Sequence, residues 1–264
     1  MRRVAGSDHA STQGDAMSIE VSEERGVRYL HFGSRWIQGA MRIARPYALE
    51  LEYTREMLMP LLLGEDGQLP GRVLVIGLGA GSLVKYLYRH CERALITVVE
   101  TNDQVLDAAR AYFQLPDDPA RLRIDIAEGS AYVATTSARF DLILVDGYDA
   151  RGRVGALDSL AFYRHCRARL KPRGMVATNL VSGRRGVKPS VDRMRVAFDD
   201  CAVGLPPCRS GNASVLASQR PVSLAMSDLR DRAAALKAAT GLDLQPALSR
   251  FAHHAGHPKT FALG

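Results

Sequence analysis

Residues 72–100 read RVLVIGLGAGSLVKYLYRHCERALITVVE, and this stretch decides the fold. An apolar run leads into the glycine turn GLGAG at 77–81, a helix-compatible segment follows, and a second apolar run ends at Glu100. The pattern predicts a strand, a glycine turn, a helix and a second strand that carries a carboxylate at its tip. Glycine has no Cβ, so the backbone can approach a ligand closely, and a carboxylate can accept hydrogen bonds from both hydroxyls of a ribose. The stretch therefore predicts a βαβ unit that holds an adenosine-containing cofactor.

The glycine pattern narrows the kind of cofactor. The dinucleotide-binding fingerprint has a third Gly or Ala where this chain has Ser82, and the chain contains no GxxxxGK[ST] phosphate loop. GxGxG followed by an acid at the end of the second strand is instead typical of class I S-adenosylmethionine-type folds. The alternative is a generic strand–helix crossover with a glycine-rich turn.

Strands and helices alternate beyond residue 100, and this alternation predicts the fold class. We expect an α/β fold that is class I S-adenosylmethionine-methyltransferase-like (Rossmann-like), with a mostly parallel sheet, helices on both faces and a small N-terminal β-hairpin region. The predicted parts of the chain are a disordered N-terminal extension at 1–17, hairpins and a linking helix at 18–70, a Rossmann-like catalytic domain at 71–248 and a C-terminal tail at 249–264. The linking helix is expected over 47–63.

The composition makes several classes of protein improbable. The chain has 264 residues, 47% of them hydrophobic, and no run near the ~20 apolar residues of a membrane helix. Its first residues lack the apolar segment of a secretory signal and its four cysteines form no CxxC pair, so we expect a reduced, cytoplasmic protein without membrane contact. The net charge of +7 comes from arginines that are spread along the chain, so we expect no nucleic-acid partner. The HHxxH cluster at 253–257 is expected in a mobile tail, and we expect no metal ion.

A second group of acids follows the fourth predicted strand, in the sequence DGYD at 146–149. Ligands of parallel α/β sheets bind beyond the carboxyl ends of the strands, so this group is expected near Glu100 and Glu128. Paired carboxylates can bind an ammonium group, and one of them can accept a proton as the amine attacks carbon. The alternative for both aspartates is capping of the next loop, and for Glu128 it is capping of the helix that begins near Ala131.

The order of these motifs resembles the polyamine aminopropyltransferase family, that is, spermidine synthase and its bacterial relatives. The resemblance covers roughly residues 18–220 and includes the N-terminal hairpins and the glycine loop. The remaining motifs that carry it are LELEYTREM at 49–57, VETN at 99–102, DLILVD at 141–146 with Asp149, AFY at 161–163 and LKPRG at 170–174.

The resemblance implies an activity and a set of site residues. In that family, decarboxylated S-adenosylmethionine gives its aminopropyl group to putrescine or a similar small amine. Here Asp146 and Asp149 would be the catalytic acids, with Glu100 on the ribose and Glu128 on the adenine. The residues implied in binding the donor are Gln38, Gly77, Gly79, Gly81, Glu100, Glu128 and Asp146, and those implied in binding the amine are Thr54, Arg55 and Asp149. Relatives are dimers, so the resemblance also implies a homodimer.

Three departures from the family pattern leave the donor open. Ala80 stands where the family has an Asp that binds the ammonium of the donor, and Thr54-Arg55 replaces a Tyr followed by His or Gln. The sequence ARGR at 150–153 replaces a proline-glycine-proline loop. These changes weaken the binding of cations and tolerate a carboxylate, such as that of intact S-adenosylmethionine. An S-adenosylmethionine-dependent methyltransferase and a non-catalytic nucleoside-binding homologue are therefore alternatives.

Overall fold

The computed structural model describes residues 2–3, 18–33, 36–64, 67–147, 155–182 and 186–264. Its strands are β1 (Arg2–Arg3), β2 (Ile19–Glu24), β3 (Val27–Phe32), β4 (Ile37–Arg42), β5 (Arg72–Ile76), β6 (Leu95–Glu100), β7 (Leu122–Ile126), β8 (Phe140–Val145), β9 (Leu170–Val181), β10 (Ala202–Gly204), β11 (Asn212–Ser218), β12 (Val222–Ala225) and β13 (Thr260–Leu263). Its helices are α1 (Glu52–Glu56), α2 (Pro60–Leu63), α3 (Ser82–His90), α4 (Asp103–Tyr112), α5 (Gly129–Thr135), α6 (Leu160–Ala168), α7 (Lys188–Ala197), α8 (Met226–Thr240) and α9 (Gln245–His254).

The central sheet has seven strands in the order β10-β11-β9-β8-β5-β6-β7. Strands β9, β8, β5, β6 and β7 are parallel, and β11 pairs antiparallel with β9 and β10. Successive residues of a strand face opposite sides. In β5, Val73 and Val75 pack into one buried cluster, whereas Leu74 and Ile76 pack into another. The sheet is therefore covered on both faces, and the predicted fold class is confirmed.

An antiparallel sheet precedes the central one and contains the predicted hairpins. Strands β2, β3 and β4 pair in sequence order, and β1 pairs with β2 through Arg2 opposite Glu23 and Arg3 opposite Ser22. Two residues of the predicted disordered extension thus lie in a strand. Its other residues fall outside the described ranges, so the prediction for them stays a prediction.

The linking helix predicted over 47–63 is wrong as a single element. The chain enters α1 from an extended residue, Leu51, and α1 ends after one turn and a half. A new short helix, α2, begins at Pro60. Proline lacks a backbone N–H and fits the first turn of a helix, so it interrupts one helix and starts the next. The apolar spacing of the segment is helical, but between α1 and α2 the backbone makes i→i−3 turn hydrogen bonds in place of α-helical ones.

The predicted C-terminal tail at 249–264 is also wrong in its lack of structure, although the proposed domain boundaries themselves stay predictions. Helix α9 extends into this region as far as His254, and β13 pairs antiparallel with β12. Phe261 and Leu263 are fully buried, and the Phe261 ring packs 4.9 Å from that of Phe251. The sequence TFAL at 260–263 has three consecutive apolar residues, so the alternate burial of this short strand leaves no period-two signal in the sequence. Among the described helices, of which the 15-residue α8 is the longest, none could cross a membrane.

Candidate active site

A cavity of about 710 Å³ opens at the carboxyl edge of the parallel strands. Its base is formed by the turn after β5 and the ends of β6 and β8, and its walls come from β4, α1, the end of β9 and the turn before β11. Parallel strands present their carboxyl ends at one edge, so residues distant in sequence meet there. The predicted site residues that line the cavity are Gln38, Thr54, Gly77, Gly79, Glu100, Glu128 and Asp146.

The glycine turn brings the backbone of β5 against that of β8. Gly77 has φ +90°, and a Cβ built on it would lie 2.2 Å from the carbonyl oxygen of Asp146. Any side chain there would displace the strand end that carries Asp146. Gly81 has a different position from the one predicted, because it is absent from the cavity lining and forms the left-handed N-cap of α3. Its backbone turns the chain into the helix, so a direct contact with the donor is not supported.

Glu100, at the end of β6, is fixed by hydrogen bonds from the backbone. Its Oε2 accepts from the Leu78 N–H at 2.9 Å, and its Oε1 accepts from the N–H groups of Thr101 at 2.8 Å and Asn102 at 3.1 Å. The residue is only 9% exposed, and that remainder faces the cavity. The carboxylate is therefore oriented before any ligand arrives, and its contact with the ribose stays a prediction.

Glu128 caps a helix and also lines the cavity, whereas its contact with the adenine stays a prediction. Its Oε2 accepts hydrogen bonds from the Ala131 N–H at 2.7 Å and the Ser130 hydroxyl at 2.6 Å, which makes it the N-cap of α5. Burial alone would raise the pKa of this carboxyl, but these hydrogen bonds outweigh burial and lower its pKa. The residue also lines the cavity. An ionised carboxylate thus faces the cavity at the edge next to Glu100.

Asp146 follows β8 and is held by two side chains. Its Oδ1 accepts from the Asn179 amide at 2.8 Å, and its Oδ2 accepts from the Tyr53 hydroxyl at 3.2 Å. Burial of the carboxyl group raises the pKa of Asp146, and the two hydrogen bonds only partly oppose this effect. A carboxylate with a raised pKa is a better proton acceptor than an exposed one.

Sequence reasoning missed both partners of Asp146. The tyrosine of the family corresponds to Thr54, and Tyr53 lies one residue before it. The Tyr53 hydroxyl nevertheless donates to Asp146, which is 93 positions away in the sequence. Asn179 lies near the end of β9, and the rule that parallel strand ends share an edge could have identified it. No local signal marks Tyr53, because its direction depends on where α1 begins.

Thr54 and Arg55 differ in their relation to the cavity. Thr54 lines it, although the hydroxyl donates to the Leu51 carbonyl at 2.7 Å and the residue is 3% exposed. Arg55 is not part of the lining. Its guanidinium donates to the carbonyls of Leu49 at 3.0 Å and Glu50 at 2.8 Å, which the extended segment before α1 leaves without helical partners. The expected contact of Arg55 with the substrate, and its positive charge at the acceptor site, are therefore not supported.

Ala80 packs against the N-terminal sheet. A Cβ built on Gly39 of β4 would lie 2.5 Å from the Cβ of Ala80, so the two residues are in close contact. Gln38, the neighbour of Gly39, lines the cavity, and so does Trp36, which is 61% exposed. The contact of Gln38 with the nucleoside stays a prediction. The small residue at position 80 thus lets β4 approach the glycine turn.

The charges on the cavity wall are all of one sign among the described lining residues. These charged side chains are Glu100, Glu128 and Asp146, and no lysine or arginine accompanies them. Such a wall favours a cation although the chain as a whole carries a net charge of +7. Asp149 and the ARGR sequence at 150–153 lie outside the described residues, so the predicted roles of these positions stay predictions. The described residues contain no cluster of three or more side chains that could hold a metal ion.

Comparison with known proteins gives matches in sequence and in fold. The sequence-family model of the spermine/spermidine synthase domain matches residues 52–182. The polyamine aminopropyltransferase of Chromobacterium violaceum is 36% identical over 233 residues, which are 88% of each chain. A probable spermidine synthase from Corynebacterium glutamicum superposes with a TM-score of 0.70 at 20% identity and covers 90% of this chain and 96% of its own. A spermidine synthase in complex with the transition state analogue AdoDATO has a TM-score of 0.69 at 22% identity, over 92% of this chain and 84% of its own.

Proposed function

The chain belongs to the polyamine aminopropyltransferase (spermidine synthase) family, and from this premise we propose that it transfers the aminopropyl group of decarboxylated S-adenosylmethionine to the amine of a polyamine or a related small acceptor. The observation that carries the proposal is Asp146, a half-buried acid with a raised pKa, in a cavity whose described charged residues are all acidic. This arrangement suits two cationic substrates and a proton transfer.

The donor end of the cavity consists of the glycine turn, Glu100 and Glu128. Glu100 accepts the ribose hydroxyls in this proposal, and its fixed oxygens support that role because they need no rearrangement. Glu128 accepts from the adenine amine beside it. Gln38 contacts the thioether nucleoside from the opposite wall, where it lines the cavity.

The acceptor end consists of Asp146 with Tyr53 and Asn179. The amine nitrogen attacks the aminopropyl carbon, a C–N bond forms, the C–S bond breaks and methylthioadenosine leaves with the electron pair. The attacking amine must lose one proton, and Asp146 accepts it. Positioning of the two substrates in line supplies the rest of the rate.

The choice of donor separates this proposal from methyl transfer. Intact S-adenosylmethionine carries a carboxylate, and the described cavity wall offers no cationic side chain to pair with it. Ala80 favours the methyltransferase alternative, because it supplies no acid for the donor ammonium. Calorimetric titration with both donors distinguishes the two. We expect tighter binding of the decarboxylated donor and formation of spermidine from putrescine by mass spectrometry. A preference for intact S-adenosylmethionine would contradict the proposal, and binding without turnover would favour the non-catalytic homologue.

We propose further that the protein works in the cytoplasm as a homodimer. The N-terminal strands β2 to β4 form the sheet that the family resemblance places at a dimer interface. Sedimentation equilibrium tests this proposal, since a mass of one chain at micromolar concentration would contradict it.

A further inference from the structure

Arg250, in the C-terminal helix α9, joins three segments of the molecule. Its guanidinium forms ion pairs with Glu52 at 3.2 Å and with Glu56, and its Nε donates to the Pro206 carbonyl at 3.3 Å. Both glutamates belong to α1, whereas Pro206 lies in the turn before β11. The residue is thus bound to two elements that are distant from it in sequence.

Glu52 of α1 pairs with Arg250 and with Arg209, which lies in the turn before β11, whereas Glu56 pairs with Arg250. Glu52 and Glu56 are four residues apart, so they share one face and repel each other when both are charged. The side chain of Glu56 is 3% exposed, burial raises the pKa of its carboxyl, and the described residues give its Oε2 no hydrogen-bond partner. Arg250 supplies the charge that keeps this buried carboxylate in place. Without it, Glu56 must take up a proton or move α1.

The same two elements form the walls of the acceptor end. Helix α1 contributes Tyr53 and Thr54 to the cavity, and Tyr53 bonds to Asp146. The turn that starts at Pro206 continues to Ser210 and Asn212, which also line the cavity. Arg250 itself is not part of the lining.

We propose that Arg250 is a positioning residue, which holds α1 and the turn before β11 in register so that the amine acceptor meets Asp146. The inference rests on the proposed function. It gives the C-terminal helix, which lies outside the residues matched by the family model, a place in acceptor binding. The Glu100 carboxylate at the donor end is held independently of Arg250, because it accepts hydrogen bonds from the backbone of residues 78, 101 and 102.

The test is Arg250→Met, with separate measurements at the two ends of the cavity. We expect the KM for putrescine to rise about tenfold or more, since small misplacements of a reacting group cost up to ~10²-fold. The affinity for methylthioadenosine, measured by calorimetry, is expected to stay unchanged. In the same titration, putrescine binding to the complex of enzyme and methylthioadenosine is expected to weaken by the same factor as the KM.

Two further variants separate positioning from stability. Arg232 on α8 donates to the carbonyls of Leu62 at 2.9 Å and Gly64 at 2.8 Å, so Arg232→Met removes a similar clamp away from the cavity. We expect it to lower Tm and leave the KM for putrescine unchanged. The double variant Arg250→Met/Glu56→Gln removes the unpaired buried charge, so we expect Tm to recover while the KM stays high.

The possible outcomes distinguish this inference from the proposed function. An unchanged KM in Arg250→Met, or an equal loss of methylthioadenosine affinity, overturns the role of Arg250 alone. Wild-type protein that binds putrescine but produces no spermidine contradicts aminopropyl transfer, and the calorimetric comparison then still decides the inference. Wild-type protein that neither binds nor alkylates putrescine contradicts both.

Discussion

The two ends of the cavity hold their carboxylates in different ways. At the donor end, Glu100 is bound on both oxygens by backbone N–H groups, including those of Leu78 and Thr101. At the acceptor end, Asp146 is bound by the side chains of Tyr53 and Asn179. A carboxylate that backbone donors hold is fixed by the fold itself, whereas one that side chains hold can be adjusted by single substitutions. Under the proposed function, the comparison teaches that recognition of the nucleoside is built into the sheet and that the acceptor chemistry is adjustable.

Replacement of the acid at the acceptor end is the largest expected change. In Asp146→Asn the acceptor of the proton is lost, so we expect kcat to fall about 10²- to 10⁴-fold. Affinity for methylthioadenosine, by calorimetry, stays at the wild-type value because the donor end is untouched. Full turnover in this variant would show that Asp146 is not the base. A parallel loss of nucleoside affinity would contradict the separate roles of the two ends.

The reverse pattern is expected at the donor end. Glu100→Gln places an amide nitrogen against one of the backbone N–H groups and removes hydrogen bonds to a charged acceptor. Since such bonds are worth roughly 1.5–3 kcal/mol, nucleoside affinity is expected to fall roughly tenfold to a hundredfold. The kcat at saturating donor and the KM for the amine serve as internal controls and remain near wild type. A fall of kcat that saturating donor does not restore would contradict this assignment.

Removal of one hydroxyl sharpens the comparison further. The hydrogen bond from Tyr53 lowers the pKa of Asp146, so Tyr53→Phe raises that pKa further. A higher pKa means that the base becomes deprotonated only at higher pH, and the acidic limb of the rate profile shifts to more alkaline values. At neutral pH we expect a fall of roughly threefold to tenfold, from a bond worth roughly 0.5–1.5 kcal/mol.

Tyr86→Phe is the matched control for that variant. Its hydroxyl donates to Thr240 at 2.8 Å, outside the cavity, so its loss is expected to change stability and leave the pH profile in place. An unshifted acidic limb in Tyr53→Phe, measured beside this control, would refute a link between Tyr53 and the base.

The smallest effect on turnover is expected from Lys85→Met, on the helix that follows the glycine turn. Its ammonium donates to the Phe113 carbonyl at 2.7 Å, and burial lowers the pKa of Lys85 from 10.5 to about 7. At a pH between these two pKa values, Lys85 is protonated in the unfolded chain and neutral in the folded protein. The free energy of unfolding, relative to Lys85→Met, therefore rises with pH by at most about 1.4 kcal/mol per unit. Urea unfolding of both proteins at pH 7, 8 and 9 measures this difference, and parallel curves would contradict it.

The donor end was predictable from sequence because its groups lie close together in the chain. One strand, one turn and the next strand bring Gly77 and Glu100 together, and the periodicity of a parallel sheet determines their edge. The acceptor end depends on contacts that periodicity does not encode. Helix α1 has only five residues, so its phase depends on the extended Leu51 and on Pro60, and this phase directs Tyr53 into the cavity instead of Arg55. No sequence rule pairs Arg250 with a glutamate 194 positions earlier.

The close packing of Gly77 on the Asp146 carbonyl affects the distance between the two bound substrates. The turn beside the nucleoside and the residue beside the amine share one backbone contact, with no side chain between them. Thermal motion that shifts one strand end must carry the other along. Under the proposed function, this backbone contact therefore helps to fix the spacing between the attacking amine and the departing sulfur.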